Sequence, residues 1–139
     1  MKFITKNLIV YAVLLFVYSV VFRYALSAVL NAEKFNFAYV AGIVYGILIF
    51  ITAWNLGKAH SLRKFVFDAG LGFNLTTYII WGLVSELWFI LGFNSRYETI
   101  KAVHYTLIIW GVFVIIHFII YWRLKSRTIR GVLKSEIFD

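Results

Sequence analysis

Four long apolar runs, separated by short polar segments, dominate the pattern of hydrophobic and polar positions along the chain. They lie at about residues 8–30, 37–56, 70–93 and 100–122. Each run reaches the length of about 20 residues that a helix needs to cross the hydrocarbon core of a bilayer. The segments between the runs are too short to form a domain of their own. The pattern therefore predicts an all-α membrane protein with one integral membrane domain, residues 1–139, built from four transmembrane helices.

The composition agrees with a chain surrounded by lipid. Hydrophobic residues make up 63% and charged residues 14% of the sequence, whereas soluble domains have roughly 45–50% and about 25%. The absence of proline favours unbroken helices, and the absence of cysteine excludes disulfides and thiolate metal sites. No phosphate-binding loop, nucleophile motif or metal-ligand spacing is present. We therefore predict no catalytic residue, no metal and no cofactor, and a protein that is not an enzyme.

Lysine and arginine are distributed unevenly around the four runs. Ten of them lie at the N-terminus, between the second and third runs, and in the tail at 123–139: Lys2, Lys6, Lys58, Arg63, Lys64, Arg123, Lys125, Arg127, Arg130 and Lys134. The other two turns hold three: Lys34, Arg96 and Lys101. Because cytoplasmic segments carry the excess of positive charge, we expect both termini in the cytoplasm, in a bacterial inner membrane protein. The net charge of +8 then indicates anionic lipid headgroups as partners, and not nucleic acid.

This orientation makes the fold a bundle of two helical hairpins. Gly42 and Gly46 form a small-xxx-small pattern that lets helices approach closely. We expect packing within the monomer, with a homo-oligomer or a membrane-protein partner as the alternative. The tail either lies on the membrane as an amphipathic helix or extends the fourth helix. The first run also has the layout of a signal peptide, but we favour a first transmembrane helix because three further spans follow.

Two charged residues lie well inside the apolar runs. Arg23 and Glu86 are equally far along two spans that run in the same direction, so we expect them at one depth and in an ion pair. A charge at the centre of a span costs about 2.5–3.5 kcal/mol and usually has a partner or a function. Alternatively, Arg23 reaches the headgroups, and Glu86 is neutral or faces water. His104 enters the fourth span at the same level, so the three residues predict a ligand site, a proton relay or a packing clasp.

A second polar layer is expected nearer the cytoplasm. His117 in the fourth span and Asn74 and Thr77 in the third lie at comparable depth on neighbouring antiparallel helices. A hydrogen bond from His117 to Asn74 or to a threonine would contribute roughly 0.6–2 kcal/mol. Shared haem ligation by His104 and His117 is not expected, because 13 residues place them about 20 Å apart along one helix.

The segment Asp68–Arg123 contains a recognisable set of residues: Asn74-Leu75-x-x-Tyr78, Trp88 and Trp110-Gly111 followed after five residues by His117. In these residues it resembles the bacterial 2TM domain family, a two-helix membrane module. The family has a histidine where this chain has Asn74, and an asparagine where this chain has Gly82. The resemblance implies a class of membrane module and no particular activity.

The sequence favours a non-enzymatic signalling accessory, scaffold or complex subunit that acts through protein or lipid contacts. The alternative is a small transporter or channel subunit in which Arg23, Glu86 and His104 line a polar intramembrane site. The same three residues would stabilise the fold in the first function and bind or conduct a substrate in the second. Their positions in the fold therefore distinguish the two functions.

Overall fold

Four α-helices make up the part of the chain that can be described. The computed structural model describes residues 5–61 and 66–135, with side chains for residues 5–57 and 70–123. The helices are α1 (Lys6–Asn31), α2 (Phe35–Ser61), α3 (Val66–Ile90) and α4 (Ile100–Ser135). The stretches long and apolar enough to cross a membrane are Lys6–Asn31, Phe35–Gly57, Gly70–Ile90 and Ile100–Arg123. The described chain is therefore an all-α, multi-pass membrane protein.

Two helices end in the same capping arrangement. At the end of α3, Gly92 adopts a φ of 72° and the Phe93 N–H donates to the Trp88 carbonyl at 3.1 Å. This left-handed residue followed by a hydrogen bond back into the last turn is a Schellman motif, which stops a helix. The third helix therefore ends at Ile90, short of the predicted residue 93. The end of α1 repeats the motif with Glu33, whose φ is 60°.

The packing of the helices centres on α1 and α3. The backbone of α1 contacts those of α2 and α3, and α2 also contacts α3, whereas the described part of α4 comes close to α3 alone. Helices α1, α2 and α3 therefore form a three-helix group with α4 at its side, so that the four helices leave a gap between α2 and α4. Because lipid covers an apolar helix face as well as another helix does, no hydrophobic force requires α4 to close the bundle.

The order of contacts along the chain shows that α1 and α3 run in the same direction. The Tyr11 hydroxyl lies 2.6 Å from Thr77 Oγ1, and farther along both helices Trp88 Nε1 donates to Ser27 Oγ at 3.0 Å. The connections 32–34 and 91–99 consequently lie at one end of the molecule, which we call the loop end. The starts of α1 and α3 lie at the opposite end.

The buried apolar core lies toward the opposite end. Tyr11, Leu15 and Phe73 form its centre, with the Tyr11 and Phe73 rings in edge-to-face contact at 4.7 Å. Partly buried residues pack around it: Leu8, Ile49, Ala53, Leu56 and Ile80. This cluster thus joins α1, α2 and α3, while Val103 and Tyr121 are buried on α4.

Two predictions fall wholly or partly outside the described residues. The side chains of 58–64, the predicted basic segment, and of the tail from residue 124 are not described. The backbone of α4 continues without a break to Ser135, which agrees with a tail that extends the fourth helix.

Candidate functional site

The buried face of α1 repeats at every fourth residue. Its buried residues are Tyr11, Leu15, Ser19, Arg23 and Ser27, each at most 5% exposed. Residues four apart share one face of a helix, so the five form a single stripe turned toward α2 and α3. Four of them carry a polar group. The stripe therefore places hydroxyls and a charge inside the protein and away from lipid.

Arg23 pairs inside the protein with Glu98, which comes from the connection between α3 and α4. Arg23 Nη1 lies 3.1 Å from Glu98 Oε1, and the two side chains are 5% and 6% exposed. The other carboxylate oxygen accepts hydrogen bonds from Ser27 Oγ and from the Ser95 backbone N–H, both at 2.7 Å. We call these four residues the loop clasp, because they tie the connection between α3 and α4 to α1.

The loop clasp neutralises the charge of Arg23 without using all of its donors. The guanidinium Cζ lies 5.3 Å from the centre of the Phe89 ring. Its Nε and Nη2 atoms have no hydrogen-bond partner among the described residues, and neither has the fully buried hydroxyl of Ser85. The guanidinium is thus held by one ion pair and one ring contact.

The predicted ion pair between Arg23 and Glu86 differs from the observed one, although the expected parallel direction of the two helices is correct. Helix residues four apart share a face. Glu86 follows Gly82 by four residues, and Gly82 packs against Leu107 of α4. Glu86 therefore faces α4, where it lies against His104, whereas Arg23 contacts Glu98 and the Phe89 ring. The sequence indicated depth correctly but not the direction around the helix axis.

Glu86 instead contacts His104 at the loop end of α3 and α4. His104 Nε2 lies 2.8 Å from Glu86 Oε1, and the side chains are 52% and 33% exposed. The contact is an ion pair when the histidine is protonated and a hydrogen bond when it is neutral. The three residues of the predicted intramembrane site therefore separate into a buried pair that includes Arg23 and a half-exposed pair that does not.

Asn74 joins two residues of α4 in the second polar layer. Its Oδ1 accepts a hydrogen bond from Trp110 Nε1 at 3.1 Å, and its Nδ2 lies 3.4 Å from His117 Nδ1. Because an indole nitrogen only donates, the Asn74 oxygen must face Trp110 and the amide nitrogen must face His117. His117 Nδ1 then accepts this bond, so the proton of the neutral ring lies on Nε2.

Two further residues of the family resemblance, Tyr78 and Gly111, lie beside this layer. The rings of Tyr78 and Trp110 meet edge to face at 6.2 Å. A Cβ added at Gly111 would lie 3.3 Å from the Tyr78 hydroxyl oxygen. The motif residues Asn74, Tyr78, Trp110, Gly111 and His117 thus form one cluster between α3 and α4, in which glycine permits the close approach of Tyr78.

Thr77, the third residue of the predicted layer, belongs to the interface between α1 and α3. Its hydroxyl donates to the Phe73 carbonyl at 2.8 Å. The 2.6 Å bond between the Thr77 and Tyr11 hydroxyls therefore uses the Tyr11 proton, with Thr77 as acceptor. The structure brings Asn74 and His117 together and places Thr77 in a separate contact.

Gly42 and Gly46 do not pack against another described helix. A Cβ built on either would meet no atom within 4 Å, which differs from the predicted packing within the monomer. Close packing on glycine occurs instead at Gly82, where a Cβ would lie 3.0 Å from Leu107 Cδ2.

A cleft of about 780 Å³ lies between α2 and α4, because the described parts of these helices both contact α3 but do not come close to each other. We call it the α2–α4 cleft. Its lining residues come from all four helices: Tyr11, Tyr45, Gly46, Ile49, Phe50, Ala53, Trp54, Gly57, Gly70, Phe73, Asn74, Thr77 and Trp110. The cleft includes part of the second polar layer and reaches from the middle of α2 toward the end opposite the loop clasp.

Several residues of these sites were missed by sequence reasoning. Tyr45 stacks on Phe22 at 4.4 Å and its hydroxyl lies 2.7 Å from Ser19 Oγ. The sequence did contain one usable signal, the polar residues Ser19, Arg23 and Ser27 at intervals of four. The cleft has no such signal, since it depends on where α4 packs.

The described residues hold no group of three histidine, aspartate or glutamate side chains that could bind a metal ion.

No protein-family model, curated protein or solved structure matches the chain. The resemblance to the 2TM domain family therefore stays a prediction. Within the described chain, the fold and the two polar layers define a multi-pass helical membrane protein with an intramembrane cleft.

Proposed function

We propose that the chain is a non-enzymatic accessory, scaffold or complex subunit of the bacterial inner membrane, and that it acts by binding another molecule in the α2–α4 cleft. The observation that carries this proposal is the cleft itself, a recess of about 780 Å³ that opens where two helices fail to meet. Ligand sites in proteins commonly have volumes of about 300–1,000 Å³.

The chemistry of the cleft wall supports binding and not catalysis. The wall consists mainly of aromatic and aliphatic side chains, with Asn74, Thr77 and two tyrosines as its polar members. Apolar walls with a few placed polar groups are typical of ligand sites. No described lining residue is charged, and the candidate nucleophiles Thr77 and Tyr11 are bonded to each other. The wall therefore provides shape and hydrogen bonds without a general base.

The transporter alternative receives less support from the geometry. Arg23 is 4% exposed and its charge is matched by Glu98, a residue of the same chain. Glu86 lies on the side of α3 that faces α4, where it contacts His104 of α4. The three residues that would have lined a passage thus belong to two separate pairs, one of which closes the loop end.

We further propose that the two hairpins insert with both termini in the cytoplasm, so that the loop end faces outward. The ten basic residues of the N-terminus, the middle segment and the tail, against three in the other turns, support this orientation. These basic segments would also contact anionic headgroups. A reporter enzyme that is active only after export, fused after Asp139, should stay inactive. Activity of that fusion contradicts the orientation.

The proposed use of the cleft can be tested by cross-linking in cells. A photoreactive benzoylphenylalanine at position 53 replaces Ala53 in the cleft wall, and one at position 13 replaces Val13, which is 60% exposed on α1. Position 53 should give a discrete adduct and position 13 only diffuse adducts with bulk lipid. Identical patterns at the two positions would show that the cleft is ordinary lipid-facing surface.

A further inference from the structure

Beyond the existence of a binding site, we infer that the α2–α4 cleft takes an uncharged amphiphile with a flat ring that bears carbonyl groups, the chemical class of the quinones. This inference rests on the proposed function, because it names the ligand of the same cleft. Three properties of the described wall carry it: the absence of charge, the arrangement of rings, and the hydrogen-bond donors.

The first property is that the described lining contains no charged side chain. A charged head against the described wall would lose its hydration without gaining a counter-ion there, which is costly in an apolar environment. We therefore expect the ligand part that contacts this wall to be neutral. This selects against phosphate and carboxylate heads, although the chains of such lipids could enter.

The second property is the number of aromatic rings in the wall. Six of the thirteen lining residues are aromatic: Tyr11, Tyr45, Phe50, Trp54, Phe73 and Trp110. They come from α1, α2, α3 and α4, so rings stand on more than one side of the cleft. Aromatic faces and edges attract another flat ring in stacked or edge-to-face arrangements. A ring between them gains contacts that a flexible acyl chain does not.

The third property is the presence of donors that hydrocarbon cannot satisfy. The Asn74 amide nitrogen has two N–H groups, of which one faces His117, and the other has no hydrogen-bond partner among the described residues. The Tyr45 hydroxyl lies against Ser19, so either of these two oxygens can supply the proton of their shared bond. If Ser19 donates, the Tyr45 proton is available to the cleft. Carbonyl oxygens on the ligand match these donors, whereas an acyl chain leaves them unpaired.

The size of the cleft fits the proposed ligand. Its volume of about 780 Å³ lies within the range of about 300–1,000 Å³ that is common for small-molecule sites. A ring with a short apolar tail fits such a site, and a longer tail would continue into the surrounding lipid.

Binding can be measured by native mass spectrometry of the full chain in mild detergent. The probe is a ubiquinone with a decyl tail, and decanol serves as the same tail without the ring. Ala53→Trp fills the cleft from α2, and Val13→Trp adds the same residue to an exposed face of α1 as the matched control. Circular dichroism and gel filtration establish that both variants are folded.

We expect the wild-type chain and Val13→Trp to bind one quinone each, and decanol to bind at least about tenfold more weakly. Ala53→Trp should weaken quinone binding by about tenfold or more, and Asn74→Leu should weaken it while decanol binding stays unchanged. Equal binding of decanol and quinone, lost together in Ala53→Trp, overturns the ring inference and leaves the proposed function standing. Quinone binding unaffected by Ala53→Trp overturns the inference and places any bound molecule outside the cleft, which also removes the support for the proposed function.

Discussion

Replacing Glu98 by glutamine should lower the free energy of unfolding by about 3–5 kcal/mol, the range seen when one partner of a buried ion pair is removed. Glutamine has nearly the same shape and can still accept the hydrogen bond from the Ser95 N–H. It removes the only counter-charge that the described residues provide for Arg23, whose side chain is 5% exposed. The loss therefore comes from an uncompensated charge and not from a cavity.

The matched control is Glu86→Gln, the same chemical change at the residue that the sequence had paired with Arg23. Its side chain is 33% exposed and that of its partner His104 is 52% exposed. Solvated pairs of this kind contribute about 0–1 kcal/mol, and glutamine can keep a hydrogen bond to the histidine. Reversible unfolding in mixed micelles with increasing denaturing detergent, followed by circular dichroism, measures both variants under one condition.

A double-mutant cycle then shows which acidic residue interacts energetically with Arg23. The double variant Arg23→Gln with Glu98→Gln should lose clearly less free energy of unfolding than the sum of the two single losses, because it has no unpaired charge. Arg23→Gln combined with Glu86→Gln should be additive. The reasoning is refuted if Glu98→Gln is no more destabilising than Glu86→Gln, or if the coupling appears with Glu86 and not with Glu98.

Two further predictions concern the helix interfaces. Asn74→Leu should lower the thermal stability by about 1–2 kcal/mol, because it leaves the Trp110 N–H without its acceptor; an unchanged melting temperature would contradict the hydrogen bond. Gly82→Ala should be destabilising, since its Cβ would lie 3.0 Å from Leu107 Cδ2. The Cβ of Gly42→Ala would enter open space, so this variant should be neutral or more stable by up to about 1 kcal/mol. Equal losses from the two alanines in thermal unfolding would contradict the placement of Gly42 on an open face.

The four helices could be predicted because the length of an apolar run has a direct physical meaning in a bilayer. The ends were less certain, since they depend on local backbone chemistry. The third apolar run continues to Phe93, but the left-handed conformation at Gly92 ends the helix at Ile90. Glu33 adopts the same conformation at the end of α1 without being glycine, so residue type alone did not indicate that end.

The contacts between polar residues could also be predicted only in part from the sequence. Rise per residue predicts the depth of a charge in a straight helix, and this prediction correctly brought Arg23 and Glu86 to similar levels. Which residues meet depends on rotation about the helix axis and on how the connections fold back. Glu98 reaches Arg23 from a connection, and no periodicity predicts the path of a loop. Asn74 and His117 could be paired from sequence because both lie inside regular helices that face each other.

The loop clasp and the α2–α4 cleft lie toward opposite ends of the molecule, yet the fold connects them mechanically. Among the described helix backbones, α4 comes close to α3 alone, so its connection at the loop end helps to set its distance from α2. The clasp fixes that connection to α1 through Glu98. Breaking the clasp should therefore loosen one wall of the cleft without touching any lining residue. We expect Glu98→Gln, at a temperature where it remains folded, to weaken quinone binding while Glu86→Gln leaves it unchanged. Unaltered binding in folded Glu98→Gln would mean that the contacts between α3 and α4, centred on Gly82 and Asn74, set the width of the cleft by themselves.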